Sequence, residues 1–437
     1  MSFPALIKKI RSPLITFVTV CVVLGTAATI IAYGRGYRFD LGTTNVRPTG
    51  LMSATSQPVG AQVFIDGKLR AATDISFNID PGWYTVAIAK EGYQTWEKRL
   101  RVQGEVVTRA DAMLLPANPS LTAITGNGVV SPVLSPDGSK LAFVVPTPTA
   151  TSAGTLTDRA GIWVLDLTDK PLGLNRDSRQ IATNTDINVN LVTLAWSADS
   201  KQVLARLKPK AGIPSFFLLE ADRLNDPPIS AGSVATLTNT WLELLRTKEE
   251  DKLATLAPEF IAEATTSMKI IAFSPDETKI LYEATAAATL PEHIIPALIG
   301  TNPTEETRTL TKDTLYVYDI KEDRNYSLGA SSNLGVLPAP KPLTATQKTS
   351  DALFTEYAAT TGPKSLQWLA TSRHLVYAGN EKIDVMEYDG GNRKTVYAGP
   401  FWDTFVVPWT NGTKLVILTN LNSAASLENN LYAVNLR

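Results

Sequence analysis

The sequence predicts an all-β fold, and three observations carry that prediction. Two stretches nearly copy one another, LSPDGSKLAF from Leu134 to Phe143 and FSPDETKILY from Phe273 to Tyr282. Apolar residues alternate with polar ones at Ile75, Phe77 and Ile79 and again at Tyr84, Val86 and Ile88, and a period of two is the pattern of a half-buried strand. Turn dipeptides, Asp66-Gly67, Pro81-Gly82 and Glu91-Gly92, punctuate these runs at strand-length intervals. In chain order we expect an N-terminal transmembrane helix, a small β-sandwich, and a β-propeller of five to seven blades with a helical insertion.

The bulk composition bounds this reading. A chain of 437 residues is too long for one ordinary core, so two or more domains, or a repeat architecture, are expected. A hydrophobic fraction of 44% with 19% charged residues belongs to folded protein. Forty-one basic against forty-two acidic residues give a net charge of -1, so no global field draws in a polyanion and no nucleic-acid partner is expected. The single cysteine, Cys21, excludes an intrachain disulfide and a paired-thiolate zinc site.

The first element is read from Leu14 to Tyr33, LITFVTVCVVLGTAATIIAY, which carries no charge. About 20 helical residues rise about 30 Å, the thickness of a bilayer core. The expectation is an uncleaved signal anchor over residues 12–34, with a cytoplasmic tail at 1–11 and a linker at 35–48. A cleaved signal has a shorter apolar region, and Val20 before Cys21 is not the small residue that lipoprotein processing takes. Basic residues flank both ends, Lys8, Lys9 and Arg11 before and Arg35, Arg38 and Arg47 after, so charge bias sets the orientation only weakly. The short tail places the N-terminus inside and the main body outside the cell membrane, on the extracytoplasmic side.

Residues 49–116 read as the sandwich. Pro81-Gly82 suits a type II turn, since proline presets the second position and glycine tolerates the positive φ of the third. The segments PVGAQVFIDGK and DPGWYTVAIAKEGYQTW resemble the PEGA domain, a small sandwich of bacterial envelope proteins. The naming tetrapeptide reads Pro58-Val59-Gly60-Ala61 here, with Val59 where glutamate is usual. The resemblance implies structural roles for the glycines and aromatics, so Trp83, Tyr93 and Trp96 are expected in packing and turns ahead of a carbohydrate platform.

Residues 120–437 read as the propeller. Looser copies of the opening pattern occur at WSADSKQVLA from Trp196, WLATSRHLVY from Trp368 and WTNGTKLVIL from Trp409, and each copy has a second apolar strand downstream, as at IWVLDL from Ile162 and LYVYDI from Leu315. A sheet of about four strands cannot cover both faces alone, so repeated sheets pack radially. The turn residues Ser135, Pro136, Asp137 and Gly138, and Ser274, Pro275 and Asp276, reverse the chain between inner strands, with Glu277 in place of glycine at some cost. The pattern resembles the TolB-like and WD-related propellers.

Two insertions interrupt the rhythm. Over 240–267, helix-like spacing of Trp241, Leu244, Leu245, Leu253, Leu256 and Phe260, with Pro258 starting a second helix, predicts a helical hairpin whose Lys248–Lys252 charges are solvated. Over 284–313 a proline-punctuated loop has an apolar middle, LPEHIIPALIG. Long loops in compact domains are often functional, so His293, Ile294, Ile295, Leu298 and Ile299 are the expected binding residues, set against a loop that merely plugs a propeller face.

No catalytic residue, cofactor or metal site is predicted. The only histidines, His293 and His374, lack metal-ligand spacing, and neither a Gly-x-Ser-x-Gly elbow nor a phosphate loop occurs. The sequence therefore predicts a membrane-anchored, non-catalytic binding or scaffold protein whose partner is a protein or an envelope polymer. The alternative is a propeller glycosidase or lyase with channel carboxylates, which are recognised by distance and not by spacing in sequence.

Overall fold

The structure is a computed structural model and describes residues 3–34, 37–40, 45–147, 159–168, 178–209, 212–335, 349–362, 364–402, 405–421 and 428–437. The chain divides into two compact units, Met1–Leu114 with Pro296–Thr304, and Leu115–Ile295 with Glu305–Arg437. Helix α1 spans Phe3–Gly34. Among the described residues no helix is long and apolar enough to cross a membrane, which overturns the expected transmembrane anchor, the membrane partner and the single-pass extracytoplasmic placement. The uncharged run is diluted by Thr16, Thr19, Gly25, Thr26 and Thr29. Thr26 and Thr29 turn their hydroxyls back onto the carbonyls of Val22 and Gly25, at 2.9 and 2.8 Å.

The first unit holds a β-sandwich. One sheet orders Ile75–Ile79, Gly50–Gln57 and Val107–Met113, the last two pairing in parallel with Leu51 opposite Val107. The other orders Lys68–Ala72, Gln62–Ile65, Gly82–Ala89 and Trp96–Val102, all antiparallel. Alternate residues face inward, so Met52, Ala54, Val63, Val86, Ile88, Trp96, Leu100 and Ala110 form one buried core. Each large side chain there contributes roughly 1.5–3 kcal/mol by leaving water. Trp96 is core and Tyr93 packs against it. Trp83 is 48% exposed, with the Arg99 guanidinium 5.1 Å from its ring centroid.

Among the described residues the second unit contains five antiparallel four-stranded sheets. Sheet I is Val130–Leu134, Lys140–Val145, Gly161–Asp166 and Arg179–Thr183; sheet II is Val192–Trp196, Gln202–Leu207, Ser215–Glu220 and Ile229–Ser230. Sheet III is Met268–Phe273, Lys279–Ala284, Thr314–Asp319 and Arg324–Ala330; sheet IV is Leu366–Trp368, His374–Gly379, Lys382–Glu387 and Lys394–Ala398. Sheet V joins Val406–Pro408, Lys414–Thr419 and Asn430–Asn435 to Leu121–Ala123, so its outer strand comes from the start of the unit. Among the described residues three further α-helices follow: α2 (Val234–Leu253), α3 (Pro258–Ser267) and α4 (Ser350–Thr361). Ser233 caps α2 by accepting from the Thr236 N–H, and Pro258 opens α3.

Apolar contacts join these sheets in pairs. Sheets I and II share Val144, Ile162, Leu194 and Trp196; sheets V and I share Phe143, Leu165, Val407 and Val416; sheets III and IV share Leu281, Val317, Leu366 and Met386. Sheets IV and V meet where Gln367 Nε2 donates to the Val406 carbonyl at 2.8 Å. The free face of sheet II is covered by helices, with Leu204 and Phe216 against Trp241 of α2 and Phe354 and Tyr357 of α4. Sheet III receives Phe260 and Ala264 of α3.

The strand-to-strand turn is the same object in all five sheets. In sheet I, Ser135 Oγ donates to Asp137 Oδ1 at 2.6 Å, Asp137 also accepts from the Ser139 N–H at 3.0 Å, and the Ser135 N–H reaches the Lys140 carbonyl at 2.8 Å. Asp276 and Ser274 repeat this in sheet III, and Asp199 and Ser197 in sheet II. One residue of each turn has positive φ: Gly138 (71°), Ser200 (59°), Glu277 (58°), Ser372 (56°) and Gly412 (69°). A side chain there costs about 1–2 kcal/mol relative to glycine, and each non-glycine makes a contact with the preceding layer. Ser200 Oγ accepts from the Asp137 N–H at 3.3 Å, and Ser372 Oγ from the Asp276 N–H at 3.0 Å. Glu277 pairs with Lys252 of α2 at 2.8 Å. The helices thus meet the sheet III turn where a preceding sheet would.

Candidate functional site

The long loop leaves sheet III through a two-residue ladder, Ala288 opposite Leu310 and Thr289 opposite Thr309, extended by the Leu290 N–H to the Arg308 carbonyl at 2.9 Å. Its two limbs are gathered by Asp323, which is 4% exposed and sits in the Lys321–Asp323 turn between the outer strands of sheet III. Asp323 Oδ2 accepts the backbone N–H groups of His293 at 2.6 Å and Ile294 at 2.9 Å. Its Oδ1 accepts from Tyr318 Oη at 2.7 Å and faces Arg308 Nη1 at 3.4 Å. Burial alone would raise this carboxyl's pKa, but the bonds from Ile294, Tyr318 and His293 and the Arg308 charge outweigh it and hold it below the ordinary carboxylate range. Burial and the facing carboxylate push the Tyr318 phenol the other way. Arg308 also donates to the Pro291 carbonyl at 2.7 Å, and Asn325 Nδ2 to that of Thr307 at 2.7 Å.

The residues expected to bind are divided by this arrangement. His293 and Ile294 are pinned at the loop base through their backbone, and the His293 ring lies 3.9 Å from Glu259 of α3. Ile295 is 78% exposed. Leu298 and Ile299, 46% and 72% exposed, lie in the Pro296–Thr304 segment that belongs to the first unit, where the Gly300 N–H donates to Gln103 Oε1 at 3.0 Å. His374 is buried in the sheet IV turn with its Nδ1 2.9 Å from Thr371 Oγ1.

A second polar group was not singled out in the sequence. Lys364 Nζ donates to the Ile271 carbonyl of sheet III at 2.6 Å, and Lys269 on the same strand pairs with Glu283 at 3.6 Å. Lys364 and Glu249 of α2 are both solvent-accessible. Desolvation by the surrounding protein lowers the pKa of Lys364 and raises that of Glu249. Nothing in the local text around Lys364 marks it, because its acceptor, the Ile271 carbonyl, lies 93 residues away in sequence. Among the described residues no group of three or more His, Cys, Asp or Glu side chains could hold a metal ion.

Residues 49–118 match the model of the PEGA domain. No curated protein sequence matches the chain. Solved structures similar to it include a putative TolB from Agrobacterium tumefaciens, at 12% identity over 68% of this chain and 76% of that one with a TM-score of 0.20. TolB from Acinetobacter baumannii matches at 12% identity over 80% and 59%, with a TM-score of 0.19. The β-propeller domain of the Trilobed protease from Pyrococcus furiosus matches at 13% over 89% and 96%, with a TM-score of 0.21. At such scores the likeness carries no argument about activity.

Proposed function

We propose that this protein is a non-catalytic scaffold that binds another protein through the sheet III loop, and that sheets I–V with the helical layer between II and III form a five-bladed propeller. The exposed aliphatic pair Leu298 and Ile299 on an otherwise anchored loop carries the reading. Apolar side chains held in water at a fixed place are what a protein interface uses for its core. The carboxylates Asp137, Asp199 and Asp276, which a propeller hydrolase would have to spare for substrate, are engaged in their own turns.

The test compares the full chain with the double variant Leu298→Ser, Ile299→Ser as bait in native extracts, with quantification by mass spectrometry. The expected result is a partner retained by the native chain and reduced at least tenfold by the variant, whose melting temperature is unchanged. Equal capture by both, or turnover of a glycan panel by the native chain, would overturn the reading.

A further inference from the structure

The outer face of the four-stranded sheet in the sandwich holds a group of side chains that packing does not use. Along the strand Gly82–Ala89, Tyr84, Val86 and Ile88 turn to the core while Trp83, Thr85 and Ala87 turn out. The edge strand Trp96–Val102 divides in the same way, with Trp96, Leu100 and Val102 inside and Arg99 and Arg101 outside. The antiparallel register sets Trp83 directly opposite Arg101 and Thr85 opposite Arg99. One indole and two guanidinium groups therefore share a small area of a rigid sheet.

A lone exposed indole would need no explanation, but the two cations beside this one are unspent. The Arg99 guanidinium lies 5.1 Å from the Trp83 ring centroid. Stacking there uses the guanidinium plane, leaves its N–H edge free, and restrains both side chains before anything binds. Among the described residues neither Arg99 nor Arg101 makes an ion pair or a side-chain hydrogen bond. Arg109 and Arg206, which also stand on strands, are paired with Asp111 at 3.1 Å and Asp351 at 3.0 Å. The acidic residue on the same outer row, Glu97, stands opposite Ala87, at the end away from Trp83. Each free guanidinium offers five donors in a fork that fits a carboxylate.

These features narrow the ligand. Two cations on a chain of net charge -1 are a poor match for a nucleic-acid backbone. A protein interface is built on an apolar core, and Thr85 and Ala87 beside the indole add little to one. A sugar ring that carries a carboxylate fits both parts, since its C–H face can lie on the indole while its anion meets a guanidinium fork. We propose that this outer sheet face binds a carboxylated polysaccharide, with Trp83 stacked on a uronic acid ring and Arg99 and Arg101 holding carboxylates along the chain. The site belongs to the sandwich alone and stands whether or not the sheet III loop binds a protein.

The experiment is isothermal titration calorimetry of the full chain with oligogalacturonate, beside neutral dextran oligomers and polyglutamate. Oligogalacturonate should bind, more weakly as salt is raised, and the other two should not. Trp83→Ala, and separately the pair Arg99→Gln with Arg101→Gln, should each weaken binding at least about tenfold. Trp83→Phe should retain most of it, and Arg109→Gln, on the other sheet, should leave it unchanged. The substituted side chains are exposed, so melting temperatures should stay at the native value. No binding of oligogalacturonate at millimolar sugar, or undiminished binding by either weakened variant, overturns the proposal. Equal binding of dextran would remove the role of charge, and equal binding of polyglutamate would make this an acidic-peptide surface; both overturn it as well. The comparison of the three ligands on the native chain needs no variant to fold.

Discussion

Ser372 separates two opposing terms at one atom. It is 4% exposed, has a φ of 56°, and its hydroxyl accepts the Asp276 N–H at 3.0 Å. Ser372→Ala keeps the strained backbone and removes the acceptor, which leaves a buried N–H without its partner at a cost of about 1–3 kcal/mol. Ser372→Gly loses the same bond but relieves the left-handed conformation, which offsets about 1–2 kcal/mol. The alanine variant should therefore be the less stable of the two by about 1 kcal/mol, the reverse of the order expected inside a strand or helix. The assay is urea unfolding of both variants beside the native chain, followed by tryptophan fluorescence, since Trp368 lies in the same sheet III–sheet IV contact. A glycine variant that is equal to or less stable than the alanine variant would refute the strain argument, and an alanine variant within about 0.3 kcal/mol of native would refute the inter-sheet bond.

Four other expectations follow from the same packing. Tyr357 Oη donates to the Trp196 carbonyl at 2.7 Å from a fully buried ring, so Tyr357→Phe should cost about 1–2 kcal/mol; Trp196→Phe, which strips the Val133 carbonyl of its 2.9 Å donor and opens a void between sheets I and II, should cost about 2–4 kcal/mol, both by urea unfolding. The Lys252–Glu277 pair is 39% and 57% exposed, and Lys252→Ala should cost under about 1 kcal/mol and less in high salt. Asp384 is buried, which alone would raise its pKa, but bonds from Thr395, Arg393 and Lys382 hold the pKa low. A carboxyl depressed in the folded state stabilises above its unfolded pKa of about 4 and loses that contribution as pH falls through the folded value. The melting temperature should accordingly fall below about pH 4, and Asp384→Asn should melt lower at pH 7 and show a shallower slope there.

Legibility in the sequence followed the range of the interactions. The Ser-x-Asp turns could be read because the bonds that shape them are local: Ser135 to Asp137 and Ser139 to Asp137 span two residues, and Ser135 to Lys140 spans five. The strands of both units could be read from their period of two for the same local reason. What escaped was whatever depends on distant partners: why Ser200 and Ser372 stand where glycine would be easier, a choice made by turns 63 and 96 residues away. The loop base escaped too, since Asp323 gathers His293 from 30 residues upstream. The apolar N-terminal run is the opposite case, a local pattern that suggests a membrane span where, among the described residues, no helix is long and apolar enough to cross one.

Sheet V has a kinetic consequence. Its outer strand, Leu121–Ala123, pairs with Asn430–Asn435, and Thr125 Oγ1 touches Asn430 Oδ1 across a separation of 305 residues. Loop closure of that length carries an entropy cost that no local contact offsets. During synthesis the first strand of the unit must wait, unpaired and with its edge open, until its partner residues Tyr432 to Val434 have left the ribosome. Sheets I to IV can each gather from consecutive segments in the meantime, so the last folding event joins the two ends of the unit, and any stall in translation between sheet IV and Asn430 leaves four sheets formed and one exposed edge.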